Sequence, residues 1–231
     1  MRRLLLSLGV VGLVTGVLAP APGYAQQSLN LYVGGFVPRP EDARTSGDVL
    51  VNNLSFLSFR LKDFGTATVG GEWEFPLISH VDGSFGIGFS SRSVPSVYSS
   101  FVNTDQTEIQ QTLKLRIVPF TALVRFLPLG HNAPIQPYIG AGVGILSWRY
   151  SETGAFVDSS NSIFQDNSVG SGWATGPVVI GGVTVPLGSL GIGFEGRYQS
   201  ARGNLPANQG FAGPKIDLGG MTYSATFKVR F

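Results

Sequence analysis

The last eleven residues, Met221 to Phe231, alternate without a break. Tyr223, Ala225, Phe227, Val229 and Phe231 share one face of an extended strand, and Thr222, Ser224, Thr226, Lys228 and Arg230 share the other. Successive strand side chains point to opposite faces, so one face is a continuous apolar row and the other a polar, cationic one. Such a strand must lay its apolar row against either a protein core or lipid. The rest of the chain bears on that choice.

Residues 1–25 have the form of a secretory signal: Arg2 and Arg3, an apolar stretch from Leu4 to Leu18, and small residues in Gly23-Tyr24-Ala25 before Gln26. That stretch is short for a membrane helix of ~20 residues. The expected mature domain is therefore 26–231. Losing Arg2 and Arg3 takes the formal charge from +2 to zero, so charge gives no reason to expect a nucleic-acid partner. The chain has no cysteine, so neither disulfides nor a lipoprotein anchor hold an exported product together or in place. Only 13% of residues are charged and 11% are aromatic, which is not the composition of a disordered chain.

Alternating or Gly-rich apolar runs recur through the mature region at Leu29–Pro38, Gly65–Ile78, Ser84–Val94, Ile109–Leu127, Ile135–Tyr150, Trp173–Leu187, Leu190–Ala201 and the terminal strand. Within the fourth run, Leu113, Leu115 and Ile117 oppose Thr112, Lys114 and Arg116, whereas beyond Val118-Pro119 the apolar set is Phe120, Ala122, Val124 and Phe126. The change of parity predicts a register slip there, and Pro119 fits a bulge. Connections alternate in length. Short links follow the second, fourth and sixth runs, and long Ser/Asn/Asp/Gly-rich ones (39–64, 95–108, 151–172, 203–220) follow the others. Runs of about ten residues suit strands crossing a bilayer, which need ~9–11 tilted residues. Sorted loop lengths suit a membrane barrel with its long loops on one side. Aromatic belts are expected from Phe75, Phe126 and Phe231 at the short-turn end and from Trp148, Tyr150, Trp173, Tyr198 and Tyr223 at the other.

These features resemble the small outer-membrane β-barrel proteins of Gram-negative bacteria, the broad group of outer membrane proteins A, X and W. The residues that carry the resemblance are Phe231 on its alternating strand, the Pro137-Tyr-Ile-Gly-Ala-Gly-Val-Gly144 run and Gly34-Gly-Phe-Val-Pro38. The expected fold is all-β: an eight-stranded antiparallel up-and-down transmembrane barrel with short periplasmic turns and long extracellular loops. The resemblance implies outer-membrane localisation, contact with outer-membrane lipid and lipopolysaccharide, and a monomer. It also implies that Phe231 is the signal read by the barrel assembly machinery during insertion.

Alternation makes Glu72, Glu74, Arg125, Glu195, Lys228 and Arg230 an inward set of both signs in the short-turn half. Buried charges need partners, so these six are expected to form an ion-pair plug. Arg92, Lys114, Arg116 and Arg197 are expected as bases of the upper lumen. The apolar segment Leu54–Leu61 in the first long loop extends the second strand, forms a short helix over the mouth, packs on the rim or marks a hydrophobic-ligand entrance. His80 and His131 lie in separate short turns, which fits neither a catalytic His–Ser arrangement nor metal-ligand spacing. No enzyme, metal or cofactor is expected. Three roles remain open: a structural or envelope-interaction barrel with a plugged lumen, a narrow channel for small or hydrophobic solutes, and a soluble exported ligand-binding barrel.

Overall fold

The computed structural model describes residues 26–158 and 160–231, so the expected signal segment lies outside the described residues. The strands are β1 (Ser28–Pro38), β2 (Leu57–Ser58), β3 (Thr66–Ile78), β4 (Val81–Val102), β5 (Glu108–Phe126) and β6 (Gln136–Val157). They continue with β7 (Ile163–Leu187), β8 (Leu190–Gln199), β9 (Arg202–Asn204), β10 (Lys215–Asp217) and β11 (Gly220–Arg230). A short helix α1 (Val49–Asn53) lies in the first long loop. Eight strands, β1, β3 to β8 and β11, pair antiparallel in sequence order, and β11 returns to β1 with Ser28 opposite Arg230. Closure leaves no sheet edge over the height where all eight strands pair. One short-end turn is tighter than the sequence implied, since Ile78 already pairs Val81, and another falls at Gly188-Ser189 as expected, with Leu187 pairing Leu190. The latter turn needs positive φ, which Gly188 supplies at +70°.

The outer face carries an apolar belt. On β1 it runs from Leu29 to Val37, on β5 from Phe126 to Val118 and on β6 from Pro137 to Ile145. Each run is eight residue steps, about 27 Å along a strand and about 20 Å along the axis at a tilt of ~40°. Its side chains are open to the surroundings, with Val124 52% and Ile139 66% exposed. That is the height and chemistry of a lipid-facing band.

Above this band the same strands continue with reversed polarity. On β5 the outward residues become Arg116, Lys114 and Thr112, while Ile117, Leu115 and Leu113 point inward at 3%, 6% and 0% exposure. The predicted register slip at Val118-Pro119 does not occur. Ile87 pairs Phe120 and Ser90 pairs Ile117, and on the other side Val118, Pro119 and Phe120 pair Ser147, Leu146 and Ile145 in unbroken sequence. The strand keeps its phase; its surroundings change. β4, β6 and β7 run to 22, 22 and 25 residues, so much of what reads as long loop is barrel wall standing beyond the lipid band. Trp148 and Tyr150, expected in an outer belt, point inward on this upper wall and are 2% and 0% exposed. Trp173, Tyr198 and Tyr223 do face outward.

Loop segments fill the upper barrel. Asp48 caps α1, accepting from the Leu50 and Val51 amides. That cap turns Val49 and Leu50 into a core with Leu57, Leu61, Phe64, Leu113, Leu115, Leu146, Trp148, Ile216 and Leu218. β2 pairs the upper edge of β4 through Leu57–Tyr98 and Ser58–Val97. The Leu54–Leu61 segment therefore supplies part of the dome's apolar interior. Gly203, in the last long loop, lies so close to the Trp148 ring that a Cβ there would sit 2.4 Å from it.

Candidate functional site

The ionic layer in the lumen of the lipid-spanning half, with its two tyrosines, is built from inward positions of six strands. Arg125 on β5 lies at its centre. It donates through Nη1 to Glu74 (2.6 Å), through Nη2 to Glu195 (3.2 Å), and is paired with Glu72 as well. Arg197 on β8 donates to Glu72 (2.6 Å) and Glu195 (2.8 Å), and Lys228 on β11 reaches Glu74 at 2.5 Å. Three carboxylates and three bases thus share one layer, all nearly inaccessible to solvent. Tyr138 donates its hydroxyl to Glu195 at 2.9 Å and stacks under the Arg125 guanidinium at 4.9 Å, and Tyr32 lies 5.3 Å from that of Arg197. Glycine makes this packing possible: a Cβ on Gly86 would meet the Glu72 side chain at 2.5 Å, and one on Gly182 the Tyr138 hydroxyl at 2.5 Å.

Two residues of the lower lumen sit at a different height from expectation. Arg197, assigned from sequence to the upper lumen, belongs to the ionic layer, because the strands tilt and its row on β8 falls level with Glu72. Arg230, assigned to the ionic layer, lies at the short-turn mouth and donates to Gln136 at 2.8 Å, below the reach of the acids. That mouth is a half-open vestibule of about 700 Å³ lined by Ser28, Glu74, Asp82, Gln136, Lys228 and Arg230.

Above the ionic layer the lumen narrows to a cavity of about 10 Å³ among Tyr32, Thr68, Ser90, Ile117, Pro119 and Thr222. This is roughly the room of a single water molecule. The apolar dome begins directly beyond it. Arg197 reaches the floor of this cavity from the ionic layer, but Lys114, Arg116 and Arg92 do not line it. Lys114 and Arg116 face outward because Leu113, Leu115 and Ile117 take the inward phase of β5. Arg92 stands at the edge of β4 past the end of β3, exposed, donating to the Asp63 carbonyl at 3.0 Å.

A second charged cluster was not apparent from sequence. Arg44 holds Asp48 through two bonds of 3.0 and 3.1 Å and donates to the Asp217 carbonyl at 2.8 Å. Asp48 accepts from the Asp217 amide at 2.5 Å, and Arg39 pairs with the Asp217 carboxylate at 3.2 Å. This latch ties the first long loop to the last. Asp48 preceding an apolar Val-Leu-Val run was its one local signal, as an N-cap; the partner at Asp217 is 169 residues away.

His131 bonds Asp82 at 2.7 Å and His80 bonds Ser79 at 3.0 Å, on separate turns at the short-turn end. Among the described residues no group of His, Cys, Asp and Glu has the arrangement of a metal site, and no helix is long and apolar enough to cross a membrane.

No protein-family profile and no curated protein sequence matches the chain. Solved structures do match. Neisserial surface protein A aligns at 14% identity over 90% of this chain and 100% of its own, with a TM-score of 0.45. The attachment invasion locus protein Ail of Yersinia pestis aligns at 12% identity over 90% and 100%, with a TM-score of 0.42. The N-terminal β-barrel domain of Pseudomonas aeruginosa OprF aligns at 11% over 90% and 100%, with a TM-score of 0.40.

Proposed function

We propose that this chain is an integral outer-membrane β-barrel with a structural or envelope-interaction role and a lumen closed to solutes. The observation that carries the reading is double occlusion: a charge-balanced layer of Glu72, Glu74, Glu195, Arg125, Arg197 and Lys228, and above it an apolar dome latched by loops. A channel would need a continuous polar path, and the space between the two layers holds about 10 Å³. The apolar belt supports the membrane over a soluble exported barrel, since side chains such as Leu31, Val33, Ile139 and Phe194 would otherwise lie bare in water. The reading assigns no catalysis, metal or cofactor, and takes the barrel as a monomer. It takes Phe231, held beside the closing β1–β11 seam by the hydrogen bond its backbone N–H donates to the Gln27 carbonyl at 2.9 Å, as the residue presented to the assembly machinery.

Planar-bilayer recording tests the closed lumen. The expected result is no steady unitary conductance from the purified, refolded chain. Reproducible unitary steps would establish a channel and end the closed-lumen reading. Deletion of Phe231 tests the assembly role, with slower insertion in cells and unchanged unassisted refolding as the expected pair of results.

A further inference from the structure

We propose that the outer wall of β5 and β6, just above the lipid belt, is a binding groove for phosphate groups of lipid headgroups, formed by Lys114, Arg116 and Arg149. Arg116 and Arg149 are direct cross-strand partners, and Lys114 is one outward row above them, opposite Ser151. Partners at this register have Cβ atoms about 4.5–5.5 Å apart, where like charges repel. No ion pair among the described residues relieves them. Along the outward face of β5 the next carboxylate is Glu108, six positions above Lys114 and thus about 20 Å away. Outward positions of β6 and of the facing stretch of β7 carry none, and Asp166 lies on the opposite face of β7 from Asn167. Three exposed cations held together without an acid make a local positive field that attracts an anion from outside.

The shape and height identify that anion's source. The three bases, with Ser151, Thr153 and Asn167, line a concave groove of about 530 Å³ on the exterior. Its hydroxyl and amide groups are suited to complete the coordination of phosphate oxygens. One outward row below Arg116 and Arg149 lie Val118, Ser147 and Trp173, and the Trp173 ring packs at a tilt against Phe120, 5.8 Å between centroids. The apolar run ends at that aromatic row, so the cations stand where headgroup phosphates meet a membrane surface, within ~5–10 Å of it along the axis. A dissolved anion meets the groove only at its solution concentration, whereas a lipid whose acyl chains lie against Phe120 and Trp173 holds its phosphate there.

The inference rests on the membrane reading above, and one experiment separates the two. The mature chain is refolded into phosphatidylcholine vesicles containing either diphosphorylated lipid A or the same lipid with both phosphates removed, and retained lipid is counted by native mass spectrometry. The wild type is expected to retain the phosphorylated form, and the triple variant Lys114→Gln, Arg116→Gln, Arg149→Gln to lose about ten-fold or more of that preference. Arg60→Gln, at another exposed arginine, should leave it unchanged. Heat-modifiable migration in phosphatidylcholine alone checks that the triple variant is folded. Equal retention of both lipids by the wild type, or an unaffected triple variant, would overturn the site. Competition by inorganic phosphate at matched concentration would reassign the groove to free anions and overturn the lipid assignment. Failure of the wild type to insert into any vesicle would bring down the membrane reading itself, a result distinct from insertion without preference.

Discussion

The lower and upper halves of this barrel are made from the same continuous strands yet are built on opposite rules. Below Val118-Pro119, apolar side chains face outward and six charged ones fill the interior. Above it, Lys114, Arg116 and Arg149 face outward and Leu113, Leu115, Leu146 and Trp148 fill the interior. The hydrogen-bond register runs through the boundary unaltered. Sheet geometry is indifferent to which face is wet, so the side-chain pattern reports the solvent. Where lipid surrounds the wall, water is absent outside and polarity moves in; where water surrounds it, the hydrophobic effect restores an ordinary core. The inversion marks the membrane surface more sharply than any aromatic belt.

The largest expected effect lies in the lower half. Arg125→Ala leaves Glu72, Glu74 and Glu195 around an empty centre, and breaking a buried pair of this kind costs about 3–5 kcal/mol. The folded, fast-migrating form should then unfold at clearly lower temperature or denaturant. If Arg125→Ala leaves the midpoint where it was, the ionic layer does not hold the lower half together.

The comparison sharpens with one apolar residue from each side of the boundary. Leu113→Ala opens a cavity in the dome and is expected to cost about 2–5 kcal/mol. Val124→Ala, outward in the belt, exchanges protein-free lipid contact for slightly less of it and should cost well under the dome substitution. Were the two to rank the other way, the assignment of inside and outside would be reversed. Asp48→Ala removes a helix cap and a partner of both Arg44 and the Asp217 amide, for about 2–3 kcal/mol. Its signature is faster proteolysis and hydrogen exchange in 39–64, with the belt unaffected.

The smallest effect is a pH dependence confined to the upper half. Glu152 lies above the lipid belt; burial raises its carboxyl from the usual carboxylate value, while bonds from Asn53 and Tyr150 act the other way. A raised value in the folded state means the folded protein binds that proton more tightly than the unfolded chain. Its contribution to stability therefore falls as pH rises from the ordinary carboxylate range through the raised value, and stays low above it. Glu152→Gln should be more stable than the parent at neutral pH, with the gap closing in acid. A gap that is constant across pH would place Glu152 in an unburied setting.

Strand number and order were legible in the sequence because alternation and loop length are local signals, and Lys228, Glu72 and Glu74 could be placed inward from parity alone. The switch of the apolar row at Val118-Pro119 was legible too, but its cause was not. A slipped register and an exchanged solvent produce the same string of letters. Treating every apolar row as lipid-facing put Lys114 and Arg116 inside and Trp148 and Tyr150 outside. Arg197 and Arg230 were exchanged in height because strand tilt and shear depend on closure around the ring, which no single strand encodes. The Arg44–Asp48–Asp217 latch depends on two loops meeting over the mouth, a contact that only the closed barrel creates.

The absence of cysteine allows the inversion to be read directly, by single cysteines along β5 that are labelled with a fluorophore before refolding into vesicles and then challenged with a water-phase and a lipid-phase quencher. Val124→Cys and Phe120→Cys should be quenched from lipid and not from water. Arg116→Cys and Thr112→Cys should be quenched from water, and Leu115→Cys should be silent to both. A lipid-quenched Leu115→Cys together with an Arg116→Cys shielded from the water-phase quencher would show that β5 keeps its apolar row toward lipid throughout, and would contradict the two-solvent barrel.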